Sequence, residues 1–475
     1  TTHNYTLSLH DALPIFYCIG VLFTKDFAFA LYELKKMAFW LIIPLAVFFS
    51  PKLSEKKVYI VLLIFVVAVF ISSLIVAGRL LILDAVNLSE FRKLSIVSHI
   101  RFSIQVGCSL IIVAWFCIQK KYALFNIKSI WIIALLVWLV MFLFLLKSLV
   151  GILALLGTAS FALVYYARNV KRRSLRILMI TVFLGMIFFP VLFLGKVIMD
   201  FYDFKDIDPE NIENITPSGN KYIHDFNQHM RENGHLVYVY ICDDELRQEW
   251  NKRSEYKYDD DLNGYPLGST LMRYLTSLGY RKDSAGVSKL SMEDIQLIEK
   301  GATNYKFKNH FFSIYPRIYE TIWEIDDYIR TDDPNDKTLA QRIEYIKASI
   351  VLIKENPLFG IGTGNWAIKY NEAYKKMNTK LSEENWRPSH NQYLNYIVKF
   401  GLVGFIWILL AIVIPVLILG HQHNFIFLLF LIFIAFANLG DANLETHTGL
   451  SFFIFLYSFL LWNSTDSMKQ KIPEI

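Results

Sequence analysis

Apolar runs and short basic clusters alternate along this chain, and that alternation sets the first limits on its structure. A bilayer core about 30 Å thick takes roughly 20 apolar residues of helix. Runs of that kind, some of them short, occupy 38–50, 58–77, 100–118, 130–146, 149–167, 175–199, 394–420, 424–439 and 448–462, with a truncated one at 12–24. The pattern predicts an all-α polytopic membrane protein of about ten transmembrane helices, since a helix satisfies its own backbone polar groups where no water can.

Between the two blocks of apolar runs lies a long polar stretch with helical periodicity of its own. "LGSTLMRYLTSLGYRKD" (267–283) predicts a short helix stopped at Gly279. "SMEDIQLIEKG" (291–301) has Ser291 as N-cap and Gly301 as C-cap. In "LAQRIEYIKASIVLIKENP" (339–357), Ile343, Ile346, Ile350 and Ile353 recur at spacings of three and four, an amphipathic helix suited to the membrane interface.

Charge orients the spans. "PKLSEKK" (51–57), "QKKYALFNIKS" (119–129), "ARNVKRRSLR" (167–176) and "SMKQK" (467–471) fall at alternate loops, which marks that side as cytoplasmic. The opposite side receives the 78–99 loop, the turn at Lys147–Ser148, the polar stretch and "LGDANLETHTG" (439–449). The expected organisation is N-terminal transmembrane helices over 17–199, an extracytoplasmic, mostly helical loop domain over 200–389, and C-terminal transmembrane helices over 390–475. The opening "TTHNYTLSLHDALPIF" lacks the basic region and cleavage site of a signal peptide and is too polar to begin a span. Residues 1–16 read as a foreign or disordered stretch replacing a longer native N-terminus.

Composition agrees with the membrane reading. Of 475 residues 54% are hydrophobic and 19% charged, against about 25% charged in a soluble protein. The net charge of +6 sits in short loops, so it does not point to nucleic acid. The four cysteines form no CxxC or Cys/His pattern. His224, His229 and His235 match no standard metal spacing, and "DDDLNGY" (259–265) begins like a calcium loop but has Thr270 where the bidentate Glu belongs. No metal and no cofactor are expected.

The candidate chemistry gathers at one membrane face. In "NWRPSHNQYLNYIVKFGLVGF" (385–405), Ser389 with Gln392 forms a capping box that starts a helix at His390. The positive end of the helix dipole would keep the ring neutral and able to accept a proton, with Asn391 and the free amides near an anion. An interfacial polar terminus explains the same residues. Arg342 shares a helix face with Tyr345 and Ser349, although a snorkelling arginine would look the same. Arg387 is directed by Pro388, Lys147 ends an apolar run, and Glu445 either orients a hydroxyl or a cation or terminates its helix. Three cations and an imidazole at one face suit a lipid-linked pyrophosphate. "FGIGTGNW" (359–366) is neither a P-loop nor a dinucleotide fingerprint, and reads as a turn where backbone approaches another group.

In their order, these residues resemble the O-antigen ligase and polymerase family of bacterial envelopes. The resemblance rests on "QRIEYIKASIVLIKENPLFGIGTGNW…RPSHNQYLNYIVKFGLVG": an arginine-bearing helix, a Pro-x-x-Gly-x-Gly-x-Gly turn, and His-Asn heading a helix with Gly-x-x-Gly. "TLMRYLTSLGYRKD" and "RIYETIWEID" are similar to Bacteroidota relatives. The resemblance implies an inner-membrane glycosyltransferase with its site facing the periplasm. It would move a glycan from undecaprenyl pyrophosphate to a hydroxyl of lipid A core or protein, with inversion and without a metal. His390 matches the family's essential histidine and Arg342 its loop arginine. The Ser-Arg pair usual ahead of the "GILALL" helix is absent, because Leu149 stands in the arginine's place, and Lys147 is the nearest substitute. A polymerase of the same family, a membrane transporter and an inactive family member are the alternatives.

Overall fold

The computed structural model of the chain describes residues 12–22, 24–83, 97–205, 207–262, 265–308, 313–421 and 424–463. Each predicted apolar run is a helix. The N-terminal block is α1 (Ala12–Val21), α2 (Phe27–Phe49), α3 (Glu55–Leu83), α4 (His99–Ile118), α5 (Ser129–Leu145), α6 (Leu149–Asn169) and α7 (Arg173–Phe201). The polar stretch follows as α8 (Asp243–Arg253), α9 (Leu267–Ser277), α10 (Ser284–Ser288), α11 (Met292–Glu299), α12 (Tyr315–Thr331), α13 (Thr338–Glu355) and α14 (Trp366–Met377). The C-terminal block is α15 (Gln392–Ile418), α16 (Phe425–Gly440) and α17 (His447–Asn463). Among the described residues, five helices are long and apolar enough to cross a membrane: α3, α4, α6, α7 and α15. The chain is an all-α membrane protein. Helix α2 begins at Phe27, well before the run predicted from 38, and so takes Glu33, Lys35 and Lys36 into its length. Residues 12–16, set apart on composition, open α1, and residues 1–11 lie outside the described residues.

Burial separates the spans by role. Helix α4 is buried nearly all round, from Phe102 to Phe116, and packs on α3, α5, α6 and α16. Helix α7 exposes Phe188, Phe189, Val191 and Leu192, as a helix facing hydrocarbon does. The polar stretch has a core of its own, where Trp250, Leu271, Tyr274, Val287, Ile295 and Ile298 meet. Ser291 caps α11, and Gly279 and Gly301 follow the ends of α9 and α11 at positive φ, as the sequence predicts; Asp294 closes the cap reciprocally. Around the calcium-like motif, β3 (Asp261–Leu262) pairs antiparallel with β4 (Tyr265–Pro266); β1 (Arg231–Glu232) and β2 (His235–Leu236) form a second ribbon. Asn263 and Gly264 lie outside the described residues.

One join governs how the polar stretch meets the bundle. Gly401 sits inside α15 at φ 65° and ψ −173°, so the helix breaks there. In an unbroken helix the carbonyls of Val398 and Lys399 would accept from Leu402 and Val403. They accept instead from Ile361 N at 2.9 Å and Gly362 N at 3.0 Å. Leu402 N and Val403 N donate to Pro357 O at 2.9 Å and Leu358 O at 3.2 Å. The glycine-rich turn thus takes up the polar groups that the break releases, which a membrane helix cannot leave unpaired. Gly360 lets this happen: a Cβ there would lie 2.5 Å from Lys399 backbone, and one on Gly401 would lie 2.1 Å from Leu358 backbone.

A Gly401→Ala substitution should therefore cost at least about 2 kcal/mol, combining a left-handed backbone with a backbone clash. Gly185→Ala, on a lipid-facing helix with nothing near the added Cβ, should be neutral or mildly stabilising. Thermal unfolding of the two variants in one detergent compares them directly, and equal midpoints would contradict the account of the break.

Candidate active site at the mouth of the bundle

Helix α13 carries the first part of the site. Arg342, Tyr345 and Ser349 share one face, as their spacing predicts, and Tyr345 and Ser349 are buried. Of the isoleucine row, Ile353 packs partly against the core around Tyr345. Ile346 and Ile350 are exposed, while Ala340, Glu344, Tyr345, Ala348, Ser349 and Leu352 make the packed face. The small residues and the tyrosine allow close approach to α14 and α15, whereas a purely apolar criterion selects the isoleucines.

The second part is the entry to α15. The helix starts at Gln392, not at His390: Asn391 is the N-cap and accepts from Tyr393 N at 2.9 Å and Leu394 N at 3.0 Å. Ser389 does not cap. Its hydroxyl donates towards Asn395 Oδ1 at 2.7 Å. His390 thus stands one residue outside the helix, clear of the first-turn amides. Asn391 Nδ2 donates to Leu439 O at 3.1 Å, which ties the start of α15 to the end of α16.

That tie delivers the third part. Helix α16 ends at Gly440, and Arg342 Nη1 donates to the Gly440 carbonyl at 3.1 Å. Next in the chain, Asp441 is 4% exposed and its Oδ1 lies 3.4 Å from His390 Nδ1. The other oxygen, Oδ2, is buried without a hydrogen-bond partner. The His390 ring, itself exposed, lies 5.7 Å from the ring of Tyr345. An imidazole held at Nδ1 by a carboxylate presents Nε2 outward as a proton acceptor.

Cations surround this pair. Burial lowers the Arg342 guanidinium pKa, and Asp441 works against the shift. Burial raises the Tyr345 hydroxyl, and the charges of Arg387 and Arg342 both oppose it, so Tyr345 lies in the field of the two arginines. Arg387 is exposed to solvent, and its carbonyl accepts from Tyr374. Arg317 on α12 is a cation that the sequence reading passed over. It lies 3.7 Å from both Glu320 and Glu324 and its charge is felt by Arg342. Lys147, in the α5–α6 turn at φ 47°, answers to Glu320: burial lowers its pKa and Glu320 raises it. The turn adjoins the site through Val150, which would lie 2.9 Å from a Cβ on Gly440. Lys147 therefore stands at the rim, engaged with α12.

Residues 301–409 match the model of a family described as O-antigen ligase. Over that segment, about a quarter of the chain, the protein is similar to the O-antigen ligase family. An uncharacterized protein of Haemophilus influenzae is 31% identical over 105 residues, which is 22% of this chain. That match spans 26% of the relative's own length, about a quarter. Arg342, Tyr345, Arg387, His390 and Asn391 all fall inside the segment matched to the O-antigen ligase family, whereas Lys147, Asp441 and Glu445 lie outside it.

Glu445 is not beside His390. It lies beneath the O-antigen ligase segment's mouth, where its Oε2 is 2.7 Å from Lys399 Nζ and 3.0 Å from Lys36 Nζ. Glu33 completes the group, 2.8 Å from Lys399 and 2.7 Å from Lys36. Gln392 Nε2 donates to Glu445 Oε1 at 3.2 Å, and its Oε1 accepts from Leu444 N at 2.9 Å. Glu33 and Lys36 come from the first half of α2, ahead of the apolar run predicted from 38, and Lys399 from the second turn of α15. Lys399, alone in an apolar run, was the available signal. The two carboxylates and two ammonium groups sum to zero charge, so each is offset by its neighbours.

Replacing one member should cost about 3–5 kcal/mol by leaving a buried carboxylate unanswered. We expect Lys399→Met to lower the unfolding midpoint sharply and Lys399→Met/Glu445→Gln to recover much of it. Additive losses in the double variant would show that neutrality is not what the cluster requires.

Proposed function

We propose that this chain transfers a glycan from undecaprenyl pyrophosphate to an acceptor hydroxyl at the periplasmic face of the inner membrane. The observation that carries the reading is the meeting of Arg342, Arg387 and the His390–Asp441 pair at one mouth of a membrane bundle. In this reading the acceptor oxygen attacks the anomeric carbon from the face opposite the leaving group and inverts it. The bond between that carbon and the pyrophosphate oxygen breaks, and its electron pair departs on the pyrophosphate. His390 Nε2 takes the acceptor's proton while Asp441 steadies the imidazolium that forms. Arg342 spends one of its N–H donors on Gly440 and keeps others for phosphate oxygens. Arg387, with Lys147 and Arg317 further out, would stabilise the charge that develops on the leaving group. No nucleotide sugar or metal ion is needed in this scheme.

The independently packed polar stretch, with its Trp250–Tyr274 core, is large enough to shape an acceptor site, which favours a ligase over a polymerase. Purified protein given undecaprenyl-pyrophosphate glycan and lipid A core, separately and together, distinguishes them. Product only with the core present is expected. Glycan lengthening without the core would make the protein a polymerase instead. His390→Ala should reduce transfer by about a hundredfold or more. Arg342→Lys should also fall well below wild type, because lysine cannot hold both the Gly440 carbonyl and a phosphate in a planar fork. Wild-type rates in a correctly inserted His390→Ala protein would remove the imidazole from the mechanism.

A further inference from the structure

A groove on α3 plays no part in the chemistry proposed above. Ile60, Ile64, Val67 and Ile71 recur there at spacings of four, three and four, so they form one row along the helix. All four are exposed, between 40% and 63%. With Leu63, Ala68 and Phe125 they line an open cavity of about 400 Å³ whose side chains are all apolar. Phe125 comes from the 3₁₀ turn Lys121–Phe125, between α4 and α5, which makes one wall.

That turn is pinned to the start of α3. Lys121 Nζ lies 2.8 Å from Glu55 Oε1 and 5.3 Å from the centre of the Tyr59 ring. Lys121 and Glu55 answer each other, which leaves the other cations of both segments spare. Lys56, Lys57 and Lys120 are exposed, and none has a carboxylate partner among the described residues. Lys56 and Lys57 stand one turn ahead of Ile60, and Lys120 adjoins the Lys121–Glu55 pair, so three ammonium groups flank one end of the groove. From Ile60 to Ile71 is about 16 Å of helix, roughly half of a hydrocarbon core about 30 Å thick. The groove is therefore one leaflet deep, apolar along its length and basic at its outer end.

We infer that this groove binds one anionic glycerophospholipid of the bilayer. An acyl chain lies along Ile60, Ile64, Val67 and Ile71 against Phe125, and the headgroup phosphate sits among Lys56, Lys57 and Lys120. Basic residues at the end of an apolar cleft between membrane helices are suited to such headgroups. A zwitterionic lipid fills the row equally well but brings no net charge to the lysines. A second copy of the chain would cover the row and bring no anion at all. The charge at the groove's end is what selects the anionic lipid. This inference concerns binding alone and does not depend on the proposed transfer.

Native mass spectrometry of the full chain in detergent tests this, with phosphatidylglycerol and phosphatidylethanolamine of matched acyl chains as probes. The first phosphatidylglycerol should bind about tenfold more tightly than the first phosphatidylethanolamine. Lys56→Gln/Lys57→Gln/Lys120→Gln should abolish that preference. Arg168→Gln/Arg172→Gln/Arg173→Gln removes the same charge from exposed residues at the join of α6 and α7, and should keep it. Ala68→Trp fills the groove without touching its charge, and should weaken the first phosphatidylglycerol severalfold. All of these positions are exposed, so the variants should fold, and an unchanged thermal midpoint checks that they do. Equal binding of the two lipids would overturn the inference, as would equal losses in the lysine and arginine variants, which would reduce the effect to general surface charge. Undiminished binding in Ala68→Trp would take the acyl chain out of the groove. A dimer that Ala68→Trp splits, with no preference for the anionic lipid, would give the groove to a second copy of the chain and also overturn it.

Discussion

At Gly401 the backbone of α15 leaves the helical region, and two helical hydrogen bonds are lost. The four groups they would have used are all taken up by the turn at 357–362. In water such a break could be solvated at little cost, but within a membrane bundle an unpaired amide or carbonyl costs several kcal/mol. The break and the turn therefore exist only together. This join fixes the far end of α13 against α15, and the two helices carry Arg342 and the approach to His390. The glycines at 360 and 401 are needed because backbone meets backbone there, closer than any side chain allows.

A second constraint lies just below the mouth. Glu33 and Lys36 from α2, Lys399 from α15 and Glu445 from the turn after α16 neutralise one another in a setting where any one alone would be expensive. Their geometry sets the position of the 441–446 turn relative to α15. That turn carries Asp441, and α15 begins beside His390. The cluster thus holds in place the two segments whose side chains meet at 3.4 Å in the candidate site. Gln392 reinforces the arrangement by bonding both the backbone and the carboxylate of the turn. Charges inside a membrane protein commonly mark a transport path, but here every one is matched by its neighbours. Their effect on the site is one of position.

Periodicity and charge told most about elements and least about partners. The apolar runs and basic loops located the helices to within a few residues, apart from α2, whose charged first half did not look like membrane. Arg342, Tyr345 and His390 were legible because their spacing and context put them on one face at the mouth. The capping residue was misread: Ser389 and Asn391 are both good caps, and the choice depended on whether Asn391 could also reach the Leu439 carbonyl on another helix. Glu445 was read as orienting a hydroxyl or a cation or ending its helix, and the fold supplies its cations, Lys36 and Lys399, from helices far away in sequence. The partner of Asp441, and the part played by Arg317, needed the fold for the same reason.

The sequence by itself determined that this chain is a helical membrane protein, where its apolar helices run, and that a histidine and several cations gather at one mouth. These follow from local rules, namely the hydrocarbon thickness, the helical repeat and the distribution of lysine and arginine. Only the tertiary structure decided which carboxylate meets the histidine, which charges cancel, and which isoleucines of α13 stay exposed. Each of those is a pairing between segments distant in the chain, made where two backbones fit closely enough to exclude water.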